Sequence, residues 1–291
     1  MKLKPLILLG SVFAMSTAVV IIKMVKVDPA TLAAYRQFLA ALVLAPLFLR
    51  GLKDFNYTQA HLRHSMFAGV VLGLHFVSWI IGVRMTLAAN SALMVNLVPA
   101  FSPIFLFLMV KEKLNRKELL ATGLSLLGVV LLLLQEFQVS NESVSGVVVC
   151  ILSINLYIVY IVLARRNKDR FNSVFVYIVP LYVTGGLVAL AASFLLGENH
   201  LDYPLTDWLW VLALGLIPTV LGHSGINWSM RHFRGQTVAL ASLNHFIFTT
   251  VLAYFFLQEV PGSSFYLAVL FIVPAALLAI LNNRENTETT N

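Results

Sequence analysis

The feature that most constrains this chain is a succession of apolar stretches, each long enough to cross a lipid bilayer and almost free of charge. A helix crossing a hydrocarbon layer ~30 Å thick needs ~20 mostly apolar residues at a rise of ~1.5 Å each. Dividing the sequence at its charge clusters and turn residues predicts ten such spans, at 5–25, 29–49, 65–83, 87–110, 117–135, 145–164, 174–196, 207–230, 236–258 and 263–282. The residues between them are too few for a soluble domain. Composition agrees: 59% of the 291 residues are hydrophobic and only 11% charged, where a soluble domain carries roughly a quarter.

The first span begins like a signal peptide, with Lys2 and Lys4 before an apolar run and the small residues Ala14 and Ser16. The run continues through Val19, Val20, Ile21 and Ile22, which makes it long enough to span and predicts an uncleaved first helix. At the other end, residues 284–291 are predicted to form a disordered tail.

Charge distribution supplies orientation. With the N-terminus inside, sixteen of the twenty Lys and Arg residues fall at cytoplasmic ends, in clusters such as Lys111, Lys113, Arg116 and Lys117, or Arg165, Arg166, Lys168 and Arg170. The longer outer connections carry Glu136, Glu142, Glu198, Asp202 and Asp207 without a Lys or Arg. A miscounted span would invert every later loop, so this bias predicts ten spans in the cell membrane with both termini cytoplasmic. The net charge of +7 therefore orients the chain and does not mark a nucleic-acid surface, since no basic, aromatic-interleaved face exists outside the spans. The sole cysteine, Cys150, excludes an intrachain disulfide and reads as an apolar filler. No Gly-x-x-x-x-Gly-Lys phosphate loop is present, so the chain is not itself an ATPase.

A duplication lies beneath the ten spans. An offset of 147 positions carries Arg84 onto Arg231, Ala92 onto Ala239, Leu93 onto Leu240, Phe101 onto Phe248 and Glu112 onto Glu259. The arginines end corresponding spans, and the glutamates end the next ones. Five spans per copy is an odd number, so the second copy lies upside-down in the membrane, an arrangement recurrent in secondary transporters. The expected architecture is an all-α membrane protein of ten helices in two inverted repeats, 1–138 and 139–283.

Three stretches carry short motifs. Lys23 is followed by Pro29 to Arg36. His75 to Trp79 leads to Asn90-Ser-Ala and to Leu97-Val-Pro99 and Pro103. Lys111-Glu112-Lys113-Leu114 precedes Leu119 to Gly128. Together they resemble the EamA-type family of the drug/metabolite transporter superfamily. The resemblance covers nearly the whole chain and implies export of amino acids or similar metabolites. Two departures stand out: Met15-Ser16 replaces the family's Trp-Gly in helix one, and Asn244-His245-Phe246 replaces the helix-nine proline. Both fall where such transporters are expected to line their cavity, so the cargo cannot be borrowed from relatives.

Polar side chains in hydrocarbon are costly unless they face protein or a watery cavity, so each one marks a candidate site. Arg36 reads either as an anchor for a solute carboxylate or as a pin on helix-end carbonyls. His75 and Trp79, four residues apart and so on one face, read as solute contacts or as an interhelical hydrogen bond with a packing aromatic. His223 and Asn227 repeat that spacing. His245, Asn96, Asn155 and Tyr157 complete the candidate binding set, the asparagines reading equally as helix–helix glue. Pro99 and Pro103 are candidate gating kinks, and Pro180, Pro218 and Pro274 are further mid-helix breaks. Glu112 and Glu259 read as solvated boundary charges. His75, His223 and His245 come from separate helices without metal-ligand spacing or a nearby carboxylate, so neither a metal nor another cofactor is expected. An intramembrane enzyme would need a nucleophile–base pair or clustered acids, and the spans offer no acid away from their ends. The expected partners are a small-molecule solute and the lipid bilayer, with a homodimer left open.

Overall fold

The computed structural model describes residues 3–86, 88–136, 141–258, 260 and 263–288. They are helical almost throughout, and the ten predicted spans are all present. Three are unbroken through the first half: α1 (Leu3–Met24), α2 (Pro29–Leu52) and α3 (Gln59–Met85). The fourth span is split into α4 (Ala88–Val95) and α5 (Val98–Val110), and the fifth is α6 (Arg116–Glu136). In the second half α7 (Asn141–Asn167) and α8 (Val174–Leu195) are unbroken. The eighth span runs through α9 (Leu205–Leu214), a π-helical segment (Gly215–His223) and α10 (Ser224–His232). The ninth is split into α11 (Gly235–Ala241) and α12 (Asn244–Leu257), and α13 (Ser263–Glu288) closes the chain.

The apolar exterior fits a lipid solvent. Leu195 is 88% exposed, Leu42 72% and Phe255 66%, and many other leucines and phenylalanines stand outward with them. The helix ends follow local chemistry. Pro29 opens α2, where its missing N–H costs nothing. Ser173 caps α8 by accepting from the Phe175 N–H. α13 runs to Glu288, so the first residues of the expected disordered tail continue the helix; residues 289–291 lie outside the described residues.

The inverted duplication is legible in the packing. The first span packs against the eighth, and the sixth against the third; the fourth meets the sixth as the ninth meets the first. The second pairs with the seventh and the fifth with the tenth, as a pseudo-two-fold axis in the membrane plane requires. Local details repeat as well. Lys111 and Gln258, 147 positions apart, both take a left-handed backbone at φ 58° just after α5 and α12. Arg84 Nη2 donates to the Val25 and Val27 carbonyls after α1, and Arg231 Nη2 donates to the Phe171 carbonyl after α7. The equivalent arginine thus staples the equivalent connection at the opposite face.

Two close crossings fix the framework. α3 meets α8 through Gly69 and Gly73, a small-xxx-small pair; a Cβ on Gly73 would lie 2.6 Å from the Gly185 carbonyl oxygen. α1 lies equally close to the eighth span, where a Cβ on Gly222 would come within 2.6 Å of Met15 Cγ.

The proline reading needs adjustment. Pro103, Pro180 and Pro274 lie inside continuous helices, as does Pro46. Pro99 is not a mid-helix kink: it sits in the first turn of α5, just beyond the break at Asn96 and Leu97. The ninth span breaks within one residue of the equivalent place, at Ser242 and Leu243, with no proline nearby.

Glu112 also differs from its expected solvated state. Its Oε2 accepts from Arg165 Nε at 3.1 Å, and its side chain is only 11% exposed. Burial between the two halves makes an ion-pair partner necessary. Glu259 lies outside the described residues.

Candidate functional site

A central cavity lies where α1, α2, α3, α4, α7, the π segment and α12 converge. Its walls include Arg36, His75, Trp79, Tyr157, His223 and His245, side chains that both halves contribute. Met15, Ala18, Phe76, Val95 and Ile154 fill the gaps between them. The cavity holds about 380 Å³ of empty space, of which only about 30 Å³ is wide enough for the centre of a water molecule. The space is narrow in this conformation.

The π segment explains how Arg36 and His223 meet. Pro218 has no N–H to give the Leu214 carbonyl four residues back. Thr219 Oγ1 donates to that carbonyl instead at 2.9 Å, and the same oxygen accepts from Arg36 Nε at 2.9 Å. Tyr182 braces the turn from α8, its hydroxyl 3.3 Å from the Thr219 carbonyl and 3.0 Å from Ser224 Oγ. The widened turn ends at His223, whose ring packs edge-on against Phe76 at 4.7 Å. Such π turns commonly mark functional sites.

Arg36 is wholly buried. Its guanidinium lies 4.0 Å above the Phe76 ring, yet both terminal nitrogens have no hydrogen-bond partner. Of the two readings open for Arg36, its hydrogen bond does not match the pin on helix-end carbonyls, since it goes to a side-chain hydroxyl.

The aromatic wall is continuous. His75 stacks on Trp79 at 6.2 Å and lies 5.4 Å from Tyr157 and 6.3 Å from His223. His75 Nδ1 is 2.9 Å from the Ser153 carbonyl oxygen, which can only accept; Nδ1 therefore carries the proton and Nε2 is left as an acceptor. Ser153 Oγ donates in turn to the His75 carbonyl at 2.9 Å. His245, in the first turn of α12, pairs with Thr249 Oγ1 at 3.3 Å.

The remaining sequence candidates stand apart from the cavity wall. Asn227 Nδ2 donates to the Tyr160 hydroxyl and to the His223 carbonyl, so it acts one layer behind. Asn155 Nδ2 donates to the Ile151 carbonyl of its own helix at 2.9 Å. Asn96 is buried at the α4–α5 break, with both amide atoms unpartnered. Among the described residues, no group of three His, Cys, Asp or Glu is arranged to hold a metal ion.

The model of the EamA-like transporter family matches the chain at residues 3–134 and again at 144–281. The chain belongs to the EamA-like transporter family. It is therefore a multi-pass membrane protein of a transporter family. An "uncharacterized transporter" of Archaeoglobus fulgidus is 24% identical over 249 residues, 86% of each chain. The "uncharacterized transporter YdfC" of Bacillus subtilis is 28% identical over 165 residues, 56% of this chain and 52% of its own. One crystal structure superposes with a TM-score of 0.77 over 97% of this chain and 99% of that one; at 20% identity it shows the fold.

The two departures from the EamA pattern, Met15 and His245, both line the cavity. Phe76, Val95 and Ile154 were not singled out in the sequence, because an apolar residue facing a cavity reads the same as one facing lipid or core. Thr219 was also missed. The signal available for it was Pro218 just before, which predicts that a neighbouring hydroxyl will recover the abandoned carbonyl.

Proposed function

We propose that this protein is a secondary transporter that moves a small organic metabolite outward across the cell membrane. The halves 1–138 and 139–283 would alternate access to the central cavity, with both termini cytoplasmic. The observation that carries this reading is the cavity itself. It is central to the bundle, at the junction of the two inverted halves, and holds six polar or aromatic candidates that the two halves supply equally. Its interior is narrow, so a solute would pass only when one half moves against the other. The charge bias of the connections supports the orientation.

The test is solute counterflow in proteoliposomes, with the solute found by untargeted comparison of medium from overexpressing and control cells. Trp79→Ala and His245→Ala are each expected to lower flux at least tenfold at normal membrane abundance. Wild-type flux in both variants would remove the cavity from the pathway. A solute recovered chemically altered would favour an enzyme.

A further inference from the structure

From the charge balance of the cavity, we infer that the cargo is a small monocarboxylate anion with a flat, apolar body, anchored by Arg36. The inference rests on the central cavity being the solute site. Arg36 brings a full positive charge into a wholly buried position, and both terminal nitrogens lack a partner. An arginine cannot shed its proton to escape this cost. Its Nε is committed to Thr219 and one face of the guanidinium to Phe76, so the two terminal nitrogens, a fork that matches a carboxylate, remain to be satisfied.

The other walls limit what the carboxylate is attached to. Among the described residues no carboxylate lines the cavity, so the ammonium of a zwitterionic amino acid would have no counter-ion from these walls, and the site would keep an uncompensated charge. A monoanion cancels that charge. A phosphate monoester dianion or a dicarboxylate would leave a net negative charge in an apolar enclosure. Trp79, His75 and Tyr157 bring aromatic rings to the wall, which suits a planar body. The expected amino-acid-like cargo is thereby narrowed to organic acids without an amino group.

The test is calorimetric binding to the full-length purified protein in detergent, using benzoate, benzamide, L-phenylalanine and phenyl phosphate. Benzoate is expected to bind saturably and each of the other three at least tenfold more weakly. Arg36→Met should abolish benzoate binding, whereas its unliganded thermal midpoint should match or exceed wild type, because an unpaired buried cation has been removed. A midpoint well below wild type would assign Arg36 a structural role and overturn the proposal. Arg36→Lys guards against a folding failure, and is expected to keep weakened benzoate binding. Absence of benzoate binding, or equal binding of benzamide or phenylalanine, also overturns it. Trp79→Ala separates the two readings: if a competing neutral or zwitterionic probe binds and Trp79→Ala removes that binding, the cavity stands and only the anion class fails. If Trp79→Ala leaves all probe binding unchanged, the cavity itself is not the site.

Discussion

At the residue scale, the membrane makes polar side chains informative, because each must be answered by a partner, a cavity or a solute. That is why Arg36, His75, Trp79, Tyr157, His223 and His245 were legible in the sequence, and why the structure gathers them around one space. The same logic could not tell Asn155 apart from them, since an asparagine satisfied by its own helix looks identical in sequence to one facing a cavity. Ser153 went unremarked because a serine is small and unexceptional in a span, yet it fixes the His75 ring. Both its carbonyl and its hydroxyl reach Nδ1, at 2.9 and 2.8 Å. Ser153→Ala deletes the hydroxyl and keeps the carbonyl. It is expected to cost about 0.6–1.7 kcal/mol, the range for interhelical polar contacts in membranes, measured by unfolding in mixed micelles. The retained carbonyl bond should hold the imidazole in place, so counterflow should fall less than in Trp79→Ala. A loss equal to that of Trp79→Ala would mean the hydroxyl alone orients His75.

At the element scale, the number of spans was legible because a run of about twenty apolar residues has few other uses. The interruptions were only partly so. Pro99 marked the start of α5 and Pro218 the π segment, but the break at Ser242 and Leu243 has no proline to announce it. Its position is recoverable only through the repeat, within one residue of the counterpart of Asn96 and Leu97. Glycine spacing carried information of another kind. Gly69 and Gly73 let α3 approach the backbone of α8, and His75 is two residues beyond. Gly73→Val would place its Cβ 2.6 Å from the Gly185 carbonyl oxygen and 3.0 Å from Gly185 Cα. Those are backbone atoms of a packed helix, which yield only if the helix moves. The substitution is expected to destabilise by about 1–3 kcal/mol or more through overpacking, seen as reduced membrane abundance and faster thermal inactivation, with counterflow lost in the surviving fraction. Gly123→Val, where nothing lies within 4 Å of the added Cβ, is the matched control and should behave as wild type.

At the scale of the whole molecule, Glu112, which read as a solvated boundary charge, joins Glu118 in ion pairs between the halves. On the side assigned to the cytoplasm, Glu112 pairs with Arg165 at 3.1 Å and Glu118 with Arg234 at 2.5 Å. Each pair joins α6, or the connection before it, to the other half of the chain. Gln236 adds bonds to Ser102, Thr122 and the Pro99 carbonyl. The Glu118 side chain is fully buried, so losing its partner costs more than losing a surface ion pair. If the cavity opens inward during transport, this layer must part. Glu118→Gln, which keeps the shape and removes the charge, should weaken the closure and populate the inward-open state. A cysteine placed at the cavity residue Ala18, in a Cys150→Ala background, should then react several-fold faster with a small thiol reagent supplied from the cytoplasmic side. The exchanged pair, Glu118→Arg with Arg234→Glu, should restore the slower rate, since the attraction across the layer is re-formed with its ends swapped. An unchanged rate in Glu118→Gln would show that the ion-pair layer holds the fold and takes no part in gating.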